Sequence, residues 1–243
     1  GVYKVEGYKI LERCIMKLMR FFLGLIFSFS LMFIVLITSI EIAAYSDFSF
    51  YEKEYNKYAV TTFVGISMPE LVDITKDMMS YLKGRRENIS DMRANINGVE
   101  NVPFFNEKEI AHMEDVKELF TAAAYIRHLL VAVSIICLIL SKIFNGRILE
   151  FLSNTLIFGT LFTLCISGIL VFIISENFEK YFILFHHMLF ENDFWILNPA
   201  TDNLINMVPQ GFFVDITKRI LIVFSAFIIF MIGSGMALRK SYK

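Results

Sequence analysis

"FFLGLIFSFSLMFIVLITSI", Phe21 to Ile40, decides the fold. No residue in it is charged, and no polar stripe interrupts it. A helix rising about 1.5 Å per residue over this length crosses the hydrocarbon of a bilayer. Glu41 closes its far end. Working outward, Phe151–Ile174 and Ile220–Leu238 repeat the pattern. Tyr125–Ile143 is a weaker fourth run, with Arg127 and His128 near one end and Lys142 near the other. Long basic side chains at span ends can reach the two interfaces. The expected spans are about 21–42, 125–143, 151–174 and 218–238 within a single membrane domain, 1–243.

Composition agrees. The chain is 56% hydrophobic, with a mean hydropathy of +0.58, against about 45–50% apolar in soluble domains. With a net charge of −1 there is no global field to attract nucleic acid, and no such partner is expected. Cys14, Cys137 and Cys165 flank or occupy apolar runs, so no disulfide framework is expected. No small-x-small site behind an apolar core precedes Tyr45, so no cleaved leader is expected.

Loop charge sets the orientation. Lys4, Lys9, Arg13, Lys17 and Arg20 precede the first span, Lys142 and Arg147 sit between the second and third, and Arg239, Lys240 and Lys243 follow the fourth. All three groups fall on one side, read as cytoplasmic. Between Glu176 and Asp215 only Lys180 is basic, against six acidic residues, so that segment faces outward. The expected fold class is an all-α membrane protein with four transmembrane helices, N-in and C-in. An extracellular cap, about 45–124 plus 176–216, is built mainly from the first outer loop and is mostly helical with room for short strands.

Within the first outer loop, "SMPELVDITKDMMSYLKG" (67–84) predicts a helix. Ser67 and Glu70 have capping-box spacing, and Pro69 suits the first turn. Leu71, Ile74, Met78 and Leu82 share one face, and Gly84 ends it. The stretch from Arg85 to Pro103 reads as loop with short strands, and Asn88-Ile89-Ser90 is a weak glycosylation signal. Asn106 and Glu109 then have N-cap and N3 spacing, and no breaker interrupts Glu107 to Ile143.

His112 lies in the second turn of that helix, with Glu109 and Asp115 three residues to either side on its face. A carboxylate there would fix the ring's tautomer and raise its basicity. The bland alternative is a surface histidine on a charged helix. His128 points about 160° away and lies about 24 Å along the same helix, an interfacial residue rather than a site partner. His186 and His187 are adjacent, so at most one faces a shared site. Phe178, Tyr181, Phe182, Phe185, Phe190, Phe194 and Trp195 surround them, which also suits an interfacial belt. No H-E-x-x-H spacing, serine elbow or phosphate loop occurs, so no metal or other cofactor is expected. The spans lack mid-membrane ionisable residues, which disfavours a transporter.

"NEKEIAHMEDVK" (106–117) followed by "FHHMLFENDFWILNPATDNLINMVPQGFF" (185–213) resembles the bacterial lipoprotein intramolecular transacylase family. That resemblance implies a four-helix enzyme under an extracellular cap, in the bacterial cell membrane with its active face outward. Its substrate would be a diacylated bacterial lipoprotein, with membrane lipid as its other partner. The enzyme would move the sn-2 acyl chain of the diacylglyceryl-cysteine to the lipoprotein's own α-amino group, giving a lyso-form lipoprotein.

Carried over, the resemblance makes His112 and His186 the catalytic pair and leaves His187 on a variable position. Asp115 and Glu109 would support His112, while Phe182, Phe185, Phe190, Trp195, Phe212 and Phe213 would wall the pocket. No cofactor is implied. The competing reading is a non-enzymatic scaffold or accessory protein that presents its cap to partners.

Overall fold

The computed structural model describes residues 2–145 and 147–242, without the side chains of 2–10, 12, 145 and 178. Lys243 of the basic tail and the side chains of Lys4, Lys9 and Phe178 lie outside the described residues. Among the described residues, four helices are long and apolar enough to cross a membrane: Arg13–Tyr45, Glu107–Phe144, Ile148–Glu176 and Gln210–Tyr242. Many of their apolar side chains face outward: Ile222, Ile229 and Phe230 are 71%, 72% and 71% exposed. Exposure on this scale fits hydrocarbon as the surrounding solvent.

The chain forms two compact units. One comprises Gly1–Thr38, Ile126–Glu176 and Phe224–Lys243; the other comprises Ser39–Tyr125 and Asn177–Val223. Helices α1 (Val2–Tyr45), α5 (Glu107–Asn145) and α10 (Gln210–Tyr242) each contribute residues to both.

The first unit packs through small residues. Its third span comprises α6 (Ile148–Asn154), a π-turn (Thr155–Gly159) and α7 (Thr160–Glu176). A Cβ on Gly159 would fall 1.9 Å from Ser28 Oγ, and one on Gly24 would fall 3.3 Å from Thr155 Cγ2. The buried Ser153 hydroxyl donates to the Gly235 carbonyl at 2.9 Å. Apolar burial gains little between helices already in lipid, so close backbone approach and such bonds supply the attraction. Phe27, Cys137 and Phe151 fill one buried cluster here.

The second unit has an ordinary apolar core. Helices α2 (Ser49–Lys57) and α3 (Val60–Val64) precede α4 (Met68–Leu82). On α4, Leu71, Ile74, Met78 and Leu82 are all buried. Gly84 ends that helix with φ +71°, a left-handed conformation that glycine adopts without strain. The capping box at its start does not form: Ser67 makes no side-chain cap bond. Glu70 Oε1 accepts instead from the Asn95 N–H at 2.7 Å, anchoring the following strand.

That strand, β1 (Arg93–Ile96), pairs antiparallel with β2 (Val99–Pro103). Asn97 and Gly98 make the turn with φ of 51° and 83°, both positive, as an Asn-Gly hairpin requires. The Asn97 N–H donates to the Gly65 carbonyl at 2.8 Å, tying the turn to the end of α3. Two helices complete the unit: α8 (Phe178–Leu189), capped by the Asn177 side chain accepting from the Lys180 N–H, and α9 (Asn203–Met207).

Candidate functional site

The N-terminus of α5 is built as its spacing predicts. The Asn106 side chain accepts from the Glu109 N–H at 3.0 Å, and Glu109 Oε2 accepts from the Asn106 N–H at 2.8 Å. This reciprocal cap satisfies two backbone donors that the helix end leaves open. It also fixes where the second turn, and with it His112, begins. Charged residues fill these first turns, from Glu107, Lys108 and Glu109 to Glu114, Asp115, Lys117 and Glu118, which is no composition for hydrocarbon.

The segment after α8 is pinned to the same turns. Glu109 Oε1 accepts from the Leu204 N–H at 2.6 Å, and Asn106 donates to Asp202 at 2.9 Å. Asn192 Nδ2 donates to Asp115 Oδ2 at 2.9 Å, and Lys108 donates to the Ile196 carbonyl. These four bonds join residues 77 to 96 positions apart. Together they hold the end of α8 and its loop against the turn that carries His112.

Two imidazoles meet there. The ring centroids of His112 and His186 are 6.2 Å apart, with their planes inclined by 38°. Both side chains are buried, with 8% and 7% of their surface exposed, although histidine usually sits nearer the surface. The His186 Nδ1–H donates to the Phe182 carbonyl at 2.7 Å. A carbonyl only accepts, so this bond fixes the tautomer and leaves Nε2 with its lone pair. Burial lowers the His186 pKa below the ordinary histidine value; the Phe182 bond acts against this shift and the His187 charge adds to it. His112 Nδ1 is buried without a hydrogen-bond partner.

Aromatic rings enclose the pair. Trp195 stacks on His186 at 4.8 Å, and Phe182, Phe185 and Phe190 lie 4.2, 5.4 and 5.6 Å from it. Phe190 also meets His112 edge-on at 5.4 Å. Phe213 forms the next layer, 5.6 Å from Phe182. His187 is exposed and touches only the edge side of the shell, crossing Trp195 at 5.1 Å and 87°. His128 belongs to the other unit.

The structure places three of the expected supporting residues differently from the spacing. Both oxygens of Glu109 are taken by backbone N–H groups, so it caps a helix and orders a loop and does not support His112 directly. Asp115 accepts from Asn192 at Oδ2 and acts on His112 through its charge, which opposes the lowering of the ring's pKa by burial, and not through a hydrogen bond to Nδ1. Phe212 belongs to the core of its unit, packed on Phe50, Tyr51 and Tyr55 at 5.9, 5.6 and 6.3 Å, and Phe213 alone of that pair reaches the aromatic shell. The residue that sequence reasoning undervalued is Asn192. Its signal was a polar side chain in the middle of an aromatic run. Among the described residues, no group of three or more His, Cys, Asp or Glu side chains is placed to hold a metal ion.

Comparison with known proteins gives a consistent result. An uncharacterized protein of Aquifex aeolicus (strain VF5) is 31% identical over 148 residues, 57% of this chain and 60% of that protein. The match therefore spans less than two thirds of that relative's length. The solved membrane-integral lipoprotein intramolecular transacylase Lit from Bacillus cereus superposes with a TM-score of 0.71 at 23% identity, covering 92% of this chain and 97% of that one. A second structure of that protein, with one histidine replaced by arginine, gives a TM-score of 0.69 at 21% identity over 99% and 97% of the two chains. At such identity the likeness shows a common fold. The model of the family described as lipoprotein intramolecular transacylase Lit matches residues 25–213, a stretch that holds both histidines and the loop bonds between them. This multi-pass membrane chain belongs to the lipoprotein intramolecular transacylase family.

Proposed function

We propose that this chain transfers the sn-2 acyl group of a diacylglyceryl-cysteine lipoprotein to the same molecule's α-amino group, with His112 and His186 moving the proton. The observation that carries the reading is the buried pair of imidazoles 6.2 Å apart inside an aromatic shell. Amine and ester belong to one substrate, so confinement in such a shell supplies most of the required proximity.

The chemistry needs one proton carried from nitrogen to oxygen. The neutral amine attacks the ester carbonyl carbon and forms the C–N bond. His186 Nε2, the lone-pair nitrogen, takes the proton that the amine loses. As the C–O bond breaks, the glyceryl oxygen needs a proton: His186 passes the one it took to one nitrogen of His112, which releases one from its other nitrogen to that oxygen. The products are an amide and a free hydroxyl; both rings end neutral, His186 as it began and His112 with its N–H on the opposite nitrogen, which proton exchange resets before the next turnover. Both steps need neutral imidazole at the outset, which burial favours. The aromatic wall keeps water from the ester, whose hydrolysis is the competing reaction. Beside the site, Ile183, Leu184, Met188 and Leu189 of α8 are exposed. They offer an apolar surface for acyl chains arriving from a bilayer.

The charge distribution supports a cell-membrane protein with its basic ends inside and this site on the outer side. The test is lipoprotein N-terminal analysis by mass spectrometry in a host lacking N-acylation. Wild-type chain should produce lyso-form lipoprotein, and His112→Ala and His186→Ala should produce none. Wild-type product from either variant overturns the pair.

A further inference from the structure

We propose that the indole N–H of Trp195 is the hydrogen-bond donor for the ester carbonyl oxygen, whose negative charge grows as the amine attacks; this rests on the transacylase reading above. Acyl transfer needs such a donor; His186 commits Nδ1–H to Phe182 and keeps Nε2 as an acceptor, and the proton relay proposed above occupies both ring nitrogens of His112. Trp195 is the chain's one tryptophan and stacks on His186 at 4.8 Å and 30°. Its Nε1 is buried and has no hydrogen-bond partner.

An interfacial-belt tryptophan would place that N–H among headgroups, and a core tryptophan normally finds a protein acceptor. Leaving it buried and unmatched by the protein is unfavourable unless a ligand matches it. Among the described residues, five buried side-chain nitrogens or oxygens lack a partner, and two of them, His112 Nδ1 and Trp195 Nε1, belong to this single cluster. Hydrogen-bonding capacity withheld from the protein is thus concentrated where the reaction would occur.

Indole nitrogen donates only, so its complement is an acceptor oxygen and not an amine. An oxygen held by that N–H lies beside the ring on which the indole stacks. The carbonyl carbon is then within reach of an amine deprotonated by His186. In the tetrahedral intermediate the former carbonyl electron pair rests on this oxygen and returns to carbon as the glyceryl C–O bond breaks. The indole keeps its proton throughout.

The test uses the full-length chain in detergent or nanodiscs with a synthetic diacylglyceryl-cysteine lipopeptide. Trp195→Phe keeps an aromatic ring without the N–H, and benzothienylalanine at 195 keeps the full bicyclic shape without it. Both should lose about 100-fold in kcat with KM little changed, the loss seen when an oxyanion donor is removed. Benzothienylalanine guards against a packing effect of the smaller ring. In wild-type chain, the indole N–H Raman band of this one tryptophan should shift to its hydrogen-bonded position when an N-acetylated lipopeptide, unable to react, is added. A wild-type rate in the benzothienylalanine variant, or an unmoved band with the analogue bound, overturns the assignment while the transacylase reading stands. A wild-type chain that converts no lipopeptide overturns both.

Discussion

The two adjacent histidines differ because a helix points neighbours apart. On α8, His186 is buried against Phe182, Phe190 and Trp195, whereas His187 is exposed. His187→Ala should therefore keep lyso-form production within a few-fold of wild type; complete loss would move the site by one residue. Acidity should act through His186. Its folded pKa is lowered by burial, so unfolded chain binds this proton more readily than folded chain. The resulting stability is complete above the unfolded value of about 6.5 and is lost as pH falls through the lowered folded value. The rate of acyl transfer, corrected for the fraction of substrate α-amine that is neutral (amine pKa about 8), should follow the same neutral form, level through neutrality with an acid limb centred below about 6.5. An acid limb centred higher contradicts the burial of this ring. The residue-scale facts were only partly legible in the sequence. Spacing of three puts Glu109 and Asp115 on His112's face, but it cannot show that Glu109 turns to Leu204 and Asp115 to Asn192. Those partners come from a distant segment, and local periodicity carries no information about them.

At the scale of elements, two identical spacings behave differently. Asn106 and Glu109 form a reciprocal cap, while Ser67 caps nothing because Glu70 is bonded to Asn95. Asn106→Ala should lower stability by about 1 kcal/mol or more, since it also releases Asp202, and should slow transfer by loosening the loop. Ser67→Ala should change the thermal midpoint hardly at all. Equal effects in detergent melts would contradict the bonding described. The buried face of α4 was legible in its apolar periodicity, whereas the hairpin was expected only as loop with short strands, although its Asn97-Gly98 turn is the pair such a hairpin uses. Helix α8 was hidden, because an aromatic run with few polar breaks reads equally as belt, strand or helix.

For the whole molecule, hydropathy alone revealed the four long helices, since about twenty apolar residues in a row have few alternatives. It could not show that the chain divides into two units, because α1, α5 and α10 each supply residues to both without a break in composition. Packing of the membrane unit makes its own prediction. A Cβ at Gly159 meets Ser28, whereas one at Gly168 meets nothing within 4 Å. Gly159→Ala should lower stability by an amount on the order of 1–3 kcal/mol, read as a lower melting midpoint, and Gly168→Ala should leave the midpoint level or raise it. Equal shifts would contradict the close approach of α1 to the third span. The central claim concerns chemistry, and a labelled substrate tests it most directly. Purified chain is given a mixture of two lipopeptides, one isotopically labelled in its sn-2 acyl chain and one labelled in its peptide. The account predicts amide-linked acyl chains with no molecule carrying both labels, and no product at all from His186→Ala. Doubly labelled amide, free fatty acid in place of amide, or unchanged product from His186→Ala would contradict it.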